Sequence, residues 1–274
     1  MKKISLIILS IFSLGLVFAQ NEDTKDYSSY FPEEGRIAIG LDAAQFVRFI
    51  GAETFGRING YGGEEDAVSA FKGHYFGKYF LSSTLAARAS LSIALNNRTD
   101  RAFVRDDFEY MRDPFANKQV ADTYKEKDFG FLLGLGGECR RDFWRVQGYA
   151  GAEILLGYGR YVKNFEYGNP IADANTNPTR ADGYNGEYYL LEKKYSQFAY
   201  GAGIFAGVDY FFNKNISLGF EFALQGLATF TPEQNATVES WKFDKVFTEE
   251  KPVKPKTSTF SITPQTFVNL HFYF

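Results

Sequence analysis

Ile216-Ser217-Leu218-Gly219-Phe220-Glu221-Phe222-Ala223-Leu224-Gln225 alternates with a period of two. Ile216, Leu218, Phe220, Phe222 and Leu224 share one face, and Ser217, Gly219, Glu221 and Gln225 share the other. Successive side chains of a strand point to opposite sides, so this stretch reads as a β-strand between two unlike environments. One side is bulky and apolar. The other is small and polar, with an isolated acid.

The same alternation recurs along the chain. In 36–49, Ile37, Ile39, Leu41, Ala43, Val47 and Phe49 oppose Ala38, Gly40, Asp42, Ala44 and Arg48. In 84–97, Leu85, Ala87, Ala89, Leu91, Ile93 and Leu95 oppose Arg88, Ser90, Ser92 and Asn96. Segments 128–140, 144–158, 194–212 and 258–274 follow the same scheme. With 215–228 they make seven strands, and 67–80, whose faces are mixed, makes an eighth. The predicted turns are short near Lys78–Ser83, Arg141–Phe143 and Asn213–Asn215. The connections 50–66, 98–127, 159–193 and 229–257 are long and polar. Short turns at one end and long loops at the other are the plan of an outer-membrane barrel.

Polarity decides which face is inside. A soluble barrel should show Lys, Glu and Thr on its polar row. Here that row is mostly Gly, Ala, Ser and Gln with scattered charges, which suits the crowded interior of a narrow barrel. The expected fold is therefore all-β, an eight-stranded antiparallel up-and-down transmembrane β-barrel over 36–274. Its apolar row faces lipid, with Phe and Tyr at the ends as an aromatic girdle. The 29 Phe, 18 Tyr and 26 Gly fit this reading. A mean hydropathy of −0.27 does not contradict it, because only every second residue of a barrel strand is apolar.

The ends of the chain carry addresses. Lys2 and Lys3, the apolar run Ile4–Phe18 and Val17-Phe18-Ala19 before Gln20 read as a secretory signal, with 1–19 cleaved and 20–35 left as a periplasmic segment. The run is too short for a spanning helix and is followed at once by Asn21-Glu22-Asp23. Cys139 stands alone, so no internal disulfide is expected; it reads as a small apolar strand residue. The net charge of −3 gives no reason to expect a nucleic-acid partner.

The last strand ends Val268-Asn269-Leu270-His271-Phe272-Tyr273-Phe274. A terminal Phe preceded by apolar residues at alternate positions resembles the assembly signal read by the barrel-insertion machinery, carried here by Val268, Leu270, Phe272 and Phe274. From about Arg36 onward the strand-and-loop plan is similar to the small OmpA-barrel, OmpX and OmpW group. Gly201-Ala202-Gly203 through Asp209-Tyr210-Phe211, and Asn215 through Glu221, share that group's character. The resemblance implies fold and location rather than activity. It implies outer-membrane lipids and the assembly machinery as partners. No peptidoglycan-binding domain is expected after the last strand.

Parity places Asp42, Arg48, Arg88, Glu138, Glu153, Asp209 and Glu221 in the lumen. Buried charges need partners, so these residues are expected to form a plugging network, with Arg88 bridging Asp42, Glu138 or Glu221. The alternative is an acid-lined path for small solutes. Catalysis has little support. His271 sits at the periplasmic end, and His74 has no Ser in a matching position, which weighs against a lipid-modifying enzyme. Asp173-Ala174-Asn175-Thr176-Asn177 opens like a calcium loop, but Pro178 replaces the required Gly and Tyr184 the bidentate Glu. No metal or cofactor is expected. The sequons at Asn97 and Asn235 read as chance. The loops set Phe103, Phe108, Tyr110, Met111, Phe115, Trp241 and Phe243 among polar residues, as binding surfaces do. The expected function is therefore structural, with an extracellular ligand or protein contacted through the loops.

Overall fold

A computed structural model describes residues 28–43, 71–181 and 189–274. The expected signal at 1–19, the first half of the segment 20–35, Arg48 and the connection 50–66 lie outside these residues. The described strands are β1 (Ile37–Asp42), β2 (Phe71–Phe80), β3 (Leu85–Arg105), β4 (Gln119–Phe143), β5 (Val146–Glu166), β6 (Tyr189–Asn213), β7 (Ile216–Thr231), β8 (Gln234–Lys242), β9 (Lys245–Lys254) and β10 (Thr257–Tyr273). One helix, α1 (Asp107–Arg112), joins β3 to β4.

Each strand from β1 to β6 pairs antiparallel with the next, and β10 closes the ring by pairing with both β7 and β1. Eight of the ten strands thus form a closed, up-and-down barrel, which leaves no unpaired edge in the wall. The remaining two, β8 and β9, form a hairpin that pairs with the upper part of β6 after β7 has ended. Its outer strand carries Lys245, Lys251, Pro252 and Lys254, the residues that blunt a free edge.

Four of the sequence boundaries change. The predicted connection 98–127 is largely ladder, with β3 and β4 paired from Leu85↔Cys139 to Arg105↔Gln119, and 159–193 begins and ends as ladder, β5 running to Glu166 and β6 starting at Tyr189. Above the apolar belt both faces of the wall are polar, so hydrophobic alternation vanishes while backbone pairing continues. Connection 229–257 likewise contains the β8–β9 hairpin. Lys78, placed in a turn by the sequence, is inside β2, which runs to Phe80. The mixed faces of this strand arise because Phe76 and Phe80 point inward while Tyr75 and Tyr79 are exposed.

Burial is inverted relative to a soluble protein. Ile39, Leu135, Ile154, Ile204, Phe220 and Ile262 are exposed, whereas Arg88, Glu138, Asp209 and Glu221 are buried. Cys139 is on the exposed side. Among the described residues no helix is long and apolar enough to cross a membrane, a statement that does not bear on strands.

Glycines make the polar interior possible. Large lumen side chains lie beside glycines on neighbouring strands: Arg88 and Glu153 flank Gly136, Tyr149 pairs with Gly207, Asp209 with Gly219, and His271 with Gly40. A Cβ at Gly40 would meet the His271 ring at 2.2 Å, and one at Gly219 would meet Asp209 Oδ1 at 2.2 Å. The narrow lumen has room for its charges because the opposing positions have none to fill it.

Candidate functional site

The lower lumen holds a network of ions centred on Arg88. Its Nη1 and Nη2 donate to Glu221 Oε2 and Oε1 at 2.7 and 2.8 Å. The guanidinium is clasped between Phe205 and Phe76, 3.9 and 4.5 Å from the ring centroids. Glu153 and Glu138 each lie 3.9 Å from it. Glu153 also accepts from Ser90 Oγ at 2.9 Å, and Tyr149 donates to Glu221 at 2.9 Å. Planar, bidentate and stacked, the site suits Arg and would be poorly served by Lys.

Below it, Arg140 donates to Glu138 at 3.0 Å and to Asp209 at 3.4 Å. Lys78 lies 3.2 Å from Glu138 and 3.9 Å from Asp209, with its ammonium over the Tyr149 ring. His271 Nδ1 lies 3.2 Å from Asp209 Oδ1. Three cations, Lys78, Arg88 and Arg140, thus stand among four carboxylates, Glu138, Glu153, Asp209 and Glu221. Mutual pairing offsets a desolvation cost that none of them could bear alone.

Of the residues picked from sequence, the structure brings together Arg88, Glu138, Glu153, Asp209 and Glu221. Asp42 is buried in the same lumen but opposite Asn269, further up β1 than Ala38, which lies level with Lys78; Arg88 engages Glu221 instead. Lys78, Arg140, Tyr149 and His271 were missed. Arg140 shares the parity of Glu138, and Tyr149 that of Glu153, so both were legible. Lys78 escapes the parity reading because the turn predicted near Lys78–Ser83 covers it, whereas β2 runs to Phe80. His74 also differs from expectation: its Nδ1 lies 2.5 Å from Ser92 Oγ on β3, directly across the ladder. The ring is stacked on Phe267 at 4.3 Å and edged by Phe76.

Beneath the ions is an apolar seal. Phe31 follows a single 3-10 turn, Ser28–Tyr30, and packs on Phe211 edge to face at 5.3 Å. Phe80, Phe211, Tyr273, Ala38 and Ala86 complete the cluster. Tyr30 ties this cap to the rim by accepting from Arg145 at 3.0 Å.

At the opposite end two connections are knitted together. Asp107 accepts from Thr179 N at 2.6 Å, Thr179 Oγ1 at 2.7 Å and Asn175 Nδ2 at 3.0 Å. Its own N–H donates to Asn169 Oδ1, whose amide returns to Arg105 O and Thr179 O. Asp122 accepts from Gly168 N and Ala181 N, both at 2.8 Å. Burial opposes the Asp107 charge, but the bonds from Thr179, Asn175 and Arg105 outweigh it and hold its carboxyl below the usual range. The stretch that opened like a calcium loop spends Asn175 on this latch.

Fold and site together define a closed antiparallel barrel with an ion-filled lumen, sealed at one mouth and built up at the other. No known family model matches the chain, and no curated protein matches it. Among solved structures, the outer membrane protein OprG from Pseudomonas aeruginosa is similar at 10% identity and a TM-score of 0.33, over 89% of this chain and 98% of that one. A likeness this loose adds no weight, and the barrel rests on its own ladder pairings.

Proposed function

We propose that this protein is an integral outer-membrane barrel of the OmpA-barrel, OmpX and OmpW kind. Its role is structural, and it presents its built-up end as a non-catalytic binding surface. The inverted burial carries the reading. Tyr79, Phe143, Trp144 and Phe212 are exposed near one rim, and Phe129, Phe131, Phe198 and Tyr200 near the other. From Phe129 to Cys139 the wall rises about 26 Å, taking about 3.4 Å per residue and about 40° of tilt. A bilayer's apolar band on such barrels is about 25 Å.

The closing strand supports assembly through the terminal signal. Leu270 and Phe272 pair with Leu218 and Ile216 on β7 and with Leu41 and Ile39 on β1, and Val268 pairs with Phe220. Phe274 is exposed at the end of the row. The ion network and the Phe31 seal favour a closed lumen over the channel alternative. The lipid-modifying alternative would need more than the single Ser92–His74 contact.

Three measurements test the reading. The mature protein should resist carbonate extraction, be cleaved by protease added to whole cells, and give no steady conductance in planar bilayers. Recovery in the soluble fraction would end it, and an open-channel conductance would move it to the porin-like alternative.

A further inference from the structure

Above the ion network the lumen changes character. The row Ala94, Gly130, Gly159, Gln197 runs around the wall from β3 to β6. A Cβ at Gly130 would touch only Tyr158 O at 3.7 Å, so the wall there is bare. Gln197 lies flat across Gly159, close enough that a Cβ would meet it at 3.0 Å. The next row up is Asn96, Asp128, Tyr161, Tyr195, and above that Arg98, Glu126, Lys163, Lys193.

Part of these rows, together with the end of β7 and the hairpin, lines a cavity of about 430 Å³ through Tyr161, Tyr195, Glu126, Lys193, Gln197, Gln234 and Lys254. That lies within the ordinary range for small-ligand sites, about 300–1,000 Å³. Tyr161 and Tyr195 stack at 4.9 Å and 25°, making a rigid platform. The Tyr161 hydroxyl hydrogen-bonds Glu126 and, at the ordinary phenol value of about 10, is a donor at neutral pH. The hairpin contributes Gln234 and Lys254, so β8–β9 completes a site that the ring alone leaves open.

We propose that this cavity binds an acidic saccharide. The platform suits the apolar face of a pyranose ring, because Tyr offers a flat amphipathic surface at small entropic cost. Gln197, Gln234 and Glu126 supply the planar donors and acceptors that vicinal hydroxyls require. Lys193 and Lys254 against Glu126 leave one positive charge unmatched in the lining, which selects a sugar carboxylate. An apolar ligand finds no apolar wall here, and a neutral sugar leaves the lysines idle. The inference rests on the reading that this end of the barrel faces outward.

The test is calorimetric titration of the full refolded protein in detergent with a tetrasaccharide alternating glucuronate and N-acetylglucosamine. Its carboxyl-reduced counterpart is the comparison. The acidic form should bind, more weakly as salt rises. The reduced form, Tyr195→Ala and the pair Lys193→Gln with Lys254→Gln should each weaken binding by about tenfold or more. Tyr195→Phe keeps the platform and should bind like the parent. Heat-shifted gel mobility checks that each variant is folded. Absence of binding at millimolar ligand, equal affinity for the reduced sugar, or an unaffected Tyr195→Ala overturns the proposal. A separate arm separates this failure from that of the underlying reading. Phe243→Cys in a Cys139→Ser background should react with an impermeant maleimide on whole cells. Labelling without saccharide binding sinks the saccharide site alone, whereas no labelling removes the outward orientation beneath it.

Discussion

Arg88 on β3 and Glu221 on β7 meet across the lumen in a two-pronged ion pair of 2.7 and 2.8 Å, with the guanidinium held between Phe205 and Phe76. The contact fastens opposite sides of the wall to each other, which the neighbour-to-neighbour backbone ladder cannot do. Removing one partner strands the other in a dry interior. Arg88→Ala should therefore cost about 3–5 kcal/mol, and Glu221→Gln a comparable amount. Replacing both together with Met and Leu should cost less than the two single changes added together, because the two-pronged partners leave together, while Glu153 loses the guanidinium 3.9 Å from it. Urea titration in lipid vesicles, followed by the exposed Trp144, reads this. An Arg88→Ala variant that keeps both parental stability and a closed conductance would show that the network does nothing.

Phe31 should act as a stopper beneath those ions. Phe31→Ala removes the ring that packs edge to face on Phe211, and large-to-small changes of this kind cost about 3–5 kcal/mol when the gap cannot collapse. At the rim of a barrel the cap can swing away instead, so the loss should sit at the lower end. Conductance should stay near zero in the single variant, since the network centred on Arg88 is intact above the lost seal. It should rise only when Arg88→Ala is added. Single-channel recording of the three proteins decides whether seal and network act in series.

The reading of which face meets lipid has its own direct check. Ile154 is 67% exposed and lies midway along the apolar row of β5. If hydrocarbon surrounds it, Ile154→Arg should destabilise the refolded barrel by about 2–4 kcal/mol. If water surrounds it, the same change should be nearly neutral and improve solubility. Arg160, six residues further up the strand and already charged, marks where the penalty should vanish: Val162→Arg should be tolerated.

Much of this fold is legible in the alternation of the sequence. Parity alone puts Glu138, Glu153, Asp209 and Glu221 on the inner row, because a closed wall between lipid and a polar lumen imposes two chemistries on alternate residues. The glycines opposite them belong to the same signal: Asp209 needs Gly219, and Tyr149 needs Gly207. What could not be read lies where that two-sided constraint ends. From Asn96 to Arg101 both faces are polar, so a paired strand has the composition of a loop. Phe76 and Phe80 also broke the rule, because they clasp Arg88 and seal the mouth from inside. Parity gives no information about partners around the ring, so the choice of Glu221 over Asp42 had to come from the shear of the closed barrel. The Asp107 latch joins residues about 70 positions apart through irregular backbone, where sequence carries no period at all.

That latch should respond to acid in one direction only. Asp107 accepts from Thr179 and Asn175 as a carboxylate, and those bonds depress its folded pKa below the ordinary aspartate value of about 3.9. Its contribution is then fully present above that ordinary value and is lost as the pH falls through the lower, folded one. Between pH 5 and 8 the tie between the β3–β4 and β5–β6 connections should not change. Below about pH 4 the Thr179 amide should begin to exchange, and pepsin should cut between Asn169 and Ala181 well before the barrel unfolds. Asp107→Asn lacks the charge at every pH and should show that exchange already at pH 7, with a local loss of about 1–3 kcal/mol. Hydrogen exchange read by mass spectrometry across pH 3 to 7 measures both. A Thr179 amide equally protected in Asp107→Asn and in the parent would mean that backbone shape, not the carboxylate, joins the two connections.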